Sequence, residues 1–352
     1  MHSAEFKSDH VKARGITSHI LISDKSCKET ILFVHGNASD SRIWLDFASL
    51  FSEKYNLIIP DLRGYGKTWP AFVEATEGVA IWAKDIAAIL KEIGESRVHV
   101  VGHSLGGMVA MSLAAFFTEI VTSLILLSPG SPYGYGGTKN REGIPVNEDF
   151  SGCGAGLAHP EFIKRIVLKD RSEQNPSTSP SAIIRRLYFG NGFKASEKQI
   201  EMLLDSMFAM KTGEGLFPGD VQKSELWPGF KPGKVGPTNA VSAKYNKNVV
   251  SALLKLNPHV RPPLLWIHGT ADKLVSNQPA SDAGMQGKLG LIPNWPGEEI
   301  YPPQPMLDQL DYFFNKYSIN HSHCRKIILP NIGHTPFIES PEAVFNYVRD
   351  FI

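Results

Sequence analysis

The chain has 352 residues, 42% of them hydrophobic and 20% charged, and its 36 basic and 35 acidic side chains leave a formal net charge of +1. That balance is ordinary for a soluble globular enzyme and gives no electrostatic case for nucleic acid or a strongly acidic partner. The length suits one large elaborated domain or two, and no run of about 18 apolar residues is present to span a membrane.

In chain order, short apolar runs alternate with helical patterns. Residues 16–22 and 31–34 read as strands, and 41–54 as an amphipathic helix with Trp44, Phe47, Ala48 and Phe51 on one face. A strand at 57–59 precedes a helix over 78–93, on which Trp82, Ile86, Ile89, Leu90 and Ile93 share a face. A strand at 98–101, a helix over 108–117 and a strand at 124–127 follow. From 130 to 262 the alternation gives way to a Gly- and Pro-rich stretch with helical pieces at 161–170 and 196–210, the second opened by the capping-box pair Ser196 and Gln199. This stretch holds 18 Lys and Arg against 12 Asp and Glu, which reads as solvated surface charge or as a preference for an anionic or carbonyl-rich ligand. A strand at 264–267 resumes the pattern, and 277–325 interrupts it again, with a helix expected at 306–317. A strand at 326–329 and a helix at 341–352 close the chain. The alternation predicts an α/β fold, a mostly parallel sheet covered on both faces. Residues 1–129 and 263–352 would form its core, with 130–262 a lid over an active site and 277–325 a further insertion.

The chemistry centres on Gly102-His103-Ser104-Leu105-Gly106. If a strand ends at His103 and a helix begins after Ser104, the chain turns sharply and the serine takes a strained conformation. Very small side chains are then needed two residues to either side, where strand and helix approach closely. The turn lifts the hydroxyl off the sheet, and the helix N-terminus points free N–H groups at developing negative charge. A serine needs a base, and the base an orienting carboxylate. His334, in a loop after the last strand, and Asp272, in the loop after 264–267, open at the same sheet edge as Ser104. Asp308 and Asp311 are weaker candidates on a helix, and Ser128 occupies the other strand end that could carry the acid. The backbone N–H groups of Asn37 and Leu105 would form the oxyanion hole. His35 reads as a structural hydrogen-bonding residue.

The segments "HGNASDSRIW", "DLRGYGKT", "GHSLGGMVA", "GTADKLV" and "GHTPFIESPEAV", in this order, resemble the α/β-hydrolase superfamily. The resemblance implies an eight-stranded, mostly parallel sheet with helices on both faces and an inserted, largely helical lid after the sixth strand. It also implies that Asp61 and Arg63 belong to a structural turn, and that Asp85 is a helix-surface residue. Serine at the elbow implies attack on a carbonyl. The expected activity is hydrolysis of a carboxylic ester, lactone or thioester of a small organic molecule through an acyl-enzyme. A carbon–carbon hydrolase or lyase with the same triad, and a ligand receptor on the same fold, stay open as alternatives. This chemistry requires no cofactor and no metal. The partner expected is the small-molecule substrate, with no nucleic acid and no stable membrane association; a homo-oligomer stays open. Cys27, Cys153 and Cys324 lack zinc or redox spacing and read as free thiols, and the polar N-terminus lacks the apolar core of a signal peptide, so a cytoplasmic location is expected.

Overall fold

The computed structural model describes residues 5–23, 27–69, 72–321 and 323–352. Eight strands form one sheet: β1 (Lys7–Ala13), β2 (Ile16–Ile22), β3 (Glu29–Val34), β4 (Tyr55–Pro60), β5 (Val98–His103), β6 (Val121–Leu127), β7 (Leu264–Gly269) and β8 (Cys324–Leu329). Their spatial order is β1-β2-β4-β3-β5-β6-β7-β8. β1 pairs antiparallel with β2, and β2 antiparallel with β4; every later pairing is parallel. β4, β5 and β7 are buried along their whole length, as strands covered on both faces must be. β1 is the strand missing from the apolar pattern. Of its seven residues only Val11 is buried, so a polar edge strand gave no hydrophobic signal.

On one face, α1 (Ala80–Ile93) and α2 (Leu105–Phe116) pack side by side, α2 against β5 and β6. On the other face, Phe33 packs on Trp44, Phe47 and Phe51, and Phe51 on Phe345 of the final helix, Pro341–Arg349. The expected helix over 41–54 is instead 3-10 turns at Ser41–Trp44 and Ser49–Phe51 around a single α-turn, Leu45–Ala48. Both geometries return side chains every three to four residues, so the same apolar face is satisfied.

The stretch 130–262 contains α3 (Pro160–Val167), α4 (Pro180–Leu187), α5 (Glu197–Phe208) and α6 (Val249–Lys255), joined by loops and short antiparallel ribbons. The capping box expected at Ser196 and Gln199 is present. α6 packs on α2, within the helical layer of the sheet. The stretch 277–325 buttresses the first one. From it, Gln304 and Gln309 form a buried amide network with Gly134, Gly136, Ser131 and Thr138, and the Tyr301 hydroxyl donates to the Ser151 carbonyl at 2.7 Å. Among the described residues, no helix is long and apolar enough to cross a membrane.

Candidate active site

β5 ends at His103 and α2 begins at Leu105, leaving Ser104 at the junction with φ 54° and ψ −117°. A non-glycine residue in that region is strained by roughly 1–3 kcal/mol. The turn is held by the Ser104 carbonyl, which accepts N–H groups of Gly107 (3.0 Å), Met108 (3.3 Å) and Gly130 (3.0 Å). The flanking glycines follow from close approach: a Cβ on Gly102 would lie 2.3 Å from the Gly106 carbonyl oxygen, and one on Gly106 2.1 Å from that of Val34. Backbone contact of this kind tolerates no side chain.

Asp272 and His334 emerge from the loops after β7 and β8, at the same edge. His334 Nδ1 lies 2.8 Å from Asp272 Oδ2, and Oδ1 accepts the N–H groups of Leu274 (2.8 Å) and Val275 (2.9 Å). Burial alone would raise the Asp272 pKa, but His334, His268 and the Val275 N–H together hold it below the usual carboxylate range. His268 stands behind the pair, with Nε2 3.4 Å from Asp272 Oδ2 and its proton directed to the Val275 carbonyl at 3.0 Å. With an ionised Asp272 accepting from Nδ1–H, a neutral His334 presents Nε2 as a lone-pair acceptor. Nε2 of His334 and the partly exposed Ser104 hydroxyl make no hydrogen bond to protein among the described residues. Both are therefore available to a bound reactant, and hydrogen bonds between such groups often tighten only when one arrives.

The main chain of His334 is fixed on both sides. Its N–H donates to the Tyr188 carbonyl at 2.9 Å, and its carbonyl accepts His103 Nε2–H at 2.8 Å. His103 is boxed in by Trp44, Phe337 and the His334 ring, with Nδ1 buried and unpartnered. Burial first, then the neighbouring His334, lowers its pKa to about 3, so it is a neutral donor that braces the His334 loop.

Asn37 follows Gly36 on the loop after β3, and Gly36 packs against Ser104: a Cβ on Gly36 would be 3.1 Å from Ser104 Cβ. The N–H groups of Asn37 and Leu105 donate to no protein acceptor among the described residues. The Asn37 side chain accepts the buried Tyr65 hydroxyl at 2.7 Å, an anchor the sequence reading missed. His35 donates from Nδ1 to the Gly36 carbonyl (2.8 Å) and accepts the Leu62 N–H on Nε2 (3.0 Å), so it is a neutral structural residue. Asp308 and Asp311 lie on α7 (Met306–Tyr317), engaged with Asn277 and Lys326. Asp85 is a correction. It is buried, not on the helix surface, because Arg63 grips it through two bonds of 2.7 Å and Arg14 adds one of 2.9 Å. Those partners come from distant segments, which a helical periodicity cannot register.

A second series of the same residue types stands elsewhere. On β1 and β2, Ser8 Oγ is 2.9 Å from His19 Nε2, and His19 Nδ1 is 2.8 Å from Asp61 Oδ2. Asp61 also accepts the N–H groups of Ser41 and Lys67, each at 2.8 Å. Ser8, however, sits on an extended edge strand, with no helix N-terminus behind it among the described residues. Nothing there would stabilise an oxyanion. Among the described residues no group of three His, Cys, Asp or Glu side chains is placed to hold a metal ion.

Comparisons with known proteins bear on the family and the fold. The profile described as "Alpha/beta hydrolase family" matches residues 31–346. A dihydrolipoyllysine-residue acetyltransferase component of the acetoin cleaving system from Cupriavidus necator is 38% identical over 101 residues, which is 29% of this chain and 26% of that one. The match therefore spans about a quarter of that relative's length. Among solved structures, carboxylesterase CesB (YbfK) from Bacillus subtilis superposes with a TM-score of 0.54 at 18% identity, covering 99% of this chain and 91% of the other. Est816, described as an N-acyl homoserine lactone degrading enzyme, gives 0.56 at 16% identity, covering 98% and 100%. At such identities the structural likeness shows the fold alone.

Proposed function

The chain belongs to the alpha/beta hydrolase family, and on that premise we propose that it is a serine hydrolase that cleaves a carboxylic ester of a small organic molecule through an acyl-enzyme. The observation that carries the reading is Ser104 at its positive-φ turn, sharing one sheet edge with the hydrogen-bonded His334–Asp272 pair. In this mechanism His334 Nε2 takes the Ser104 proton as Oγ attacks the carbonyl carbon. The N–H groups of Asn37 and Leu105 hold the tetrahedral oxyanion. His334 returns the proton to the leaving alcohol, then activates a water that releases the acid and frees Ser104. Asp272 fixes the imidazole tautomer and stabilises its charged form without itself taking the proton. Only the neutral ring can act as base, so rates fall toward acid pH.

The stretch 130–262, apart from α6 in the helical layer, serves in this reading as a lid. Support comes from its α4 end, whose Tyr188 carbonyl reaches the His334 N–H, and from the buttress formed by 277–325 behind it. Lactones and thioesters fall within the same chemistry, and the lid chooses among them.

The test is a panel of p-nitrophenyl esters, lactones and thioesters, with fluorophosphonate labelling followed by peptide mapping. Ester turnover with an adduct on Ser104 supports the proposal. Labelling with negligible ester turnover points to a carbon–carbon substrate, and a wild-type chain without any adduct points to a ligand receptor.

A further inference from the structure

One carboxylate joins the two segments that enclose the proposed base. Glu339 ends the short helix Pro336–Glu339, five residues after His334. Its Oε2 accepts the N–H of Gly190 at 2.7 Å, and its two oxygens share the N–H of Gly333 at 2.9 and 3.1 Å. Thr335 Oγ1 lies 3.4 Å from Oε1 and donates to the Tyr188 carbonyl at 3.1 Å, the same carbonyl that accepts the His334 N–H. The backbones interlock as well. A Cβ on Gly190 would lie 1.9 Å from the Asn331 carbonyl oxygen, and one on Gly333 2.4 Å from the Gly190 nitrogen. Residues 188–190, just past α4, are thus knitted to the His334 loop. No cationic side chain pairs with Glu339 among the described residues; its acceptors are spent on peptide N–H groups. Burial raises its pKa, and those N–H groups oppose the rise.

We propose that Glu339 is a positioning residue that acts through His334. It clips the 188–190 corner to the His334 loop so that the ring keeps its bearing on Ser104. The inference rests on the serine-hydrolase reading above. Remove the carboxylate and the N–H groups of two buried glycines lose their acceptor. The corner then loosens, and His334 loses the Tyr188 carbonyl that fixes its backbone. Because the fault lies in orientation of the base, it enters kcat more than KM.

Steady-state hydrolysis of p-nitrophenyl acetate, thermal melting and amide exchange would be compared for wild type, Glu339→Ala and Glu339→Gln. Glu339→Ala is expected to lower kcat about 10- to 100-fold with KM within about threefold, and to speed exchange at 188–190 and 333–335 together. Glu339→Gln keeps one oxygen at the Oε2 position, in reach of both N–H groups, while its NH2 replaces the Oε1 acceptor beside Gly333, so its kcat is expected within about tenfold of wild type and above that of Glu339→Ala. A folded Glu339→Ala with wild-type kcat, or faster exchange in one segment alone, overturns the clip. If the alanine variant does not fold, the glutamine variant decides: kcat within about tenfold of wild type supports the clip, and a larger loss at unchanged melting temperature overturns it. Failure of the underlying reading looks different, since wild type itself would then neither turn over ester nor label at Ser104.

Discussion

Ser8–His19–Asp61 and Ser104–His334–Asp272 contain the same three side-chain types, and each histidine gives Nδ1 to a buried aspartate at 2.8 Å. They part at the serine. Ser8 is already hydrogen-bonded to its histidine, yet it lies on an extended edge strand with no helix N-terminus behind it among the described residues. Ser104 has no such bond among the described residues, yet it stands on a strained turn at the N-terminus of α2. Completeness of a hydrogen-bonded series is therefore a poor guide to a nucleophile. What distinguishes the second series in the proposed mechanism is the surrounding backbone, whose free N–H groups at Leu105 and Asn37 would meet a charge that exists only during reaction. The first series uses the same bonds to tie β1, β2 and the turn after β4 together.

Breaking the comparison at its strongest point, Ser104→Ala should lower kcat by roughly 10,000-fold or more and abolish fluorophosphonate labelling, with melting changed by about 2 °C or less. An adduct mapped to Ser8 in wild type would invert the ranking of the two series. Asp272→Asn should cost roughly 1,000- to 10,000-fold in kcat through the wrong imidazole tautomer, whereas Asp61→Asn should cost less than about tenfold. Equal losses at the two aspartates would leave no difference between the series.

Asp61→Asn should instead act on stability. Burial would raise the Asp61 pKa, but His19, His35 and the Lys67 and Ser41 N–H groups hold it far below the usual range. A carboxylate depressed in the folded state stabilises above its unfolded value, near ~4, and that contribution disappears as pH falls below it. The variant should lose about 2 kcal/mol at pH 7, and the gap from wild type should narrow progressively as pH falls below about 4 in urea titrations. A gap that does not narrow would refute the assignment. Smallest of all, Ser8→Ala should change kcat by less than about threefold and stability by roughly 0.5 kcal/mol, read from the same titrations.

Local chemistry wrote much of this molecule into its sequence. Seven strands announced themselves as apolar runs, and Ser104 was legible because an apolar run, two close-approach glycines and a helix lie within a few residues. His334 and Asp272 were legible through their places after strands, since parallel strands deliver their following loops to one edge. Tyr65, His103, His268 and Glu339 were not. Each acts through a partner remote in sequence or through a backbone atom, and neither leaves a pattern in residue types. Glu339 did stand inside the quoted "GHTPFIESPEAV", but its target, Gly190, comes from a segment about 150 residues away. Asp85 was misread for the same reason: a charge on an amphipathic helix reads as solvated until Arg63 and Arg14 arrive from elsewhere.

The sequence by itself determined the alternation of strand and helix and the turn that raises Ser104, because hydrophobic periodicity and close backbone packing act over a few residues. Only the tertiary structure decided which of two Ser–His–Asp series has its serine on a strained strand-to-helix turn, which carboxylates are buried, and which corner of 130–262 is fastened beside His334. Those outcomes depend on distances between segments far apart in the chain, set by how the sheet orders its strands and not by any one of them.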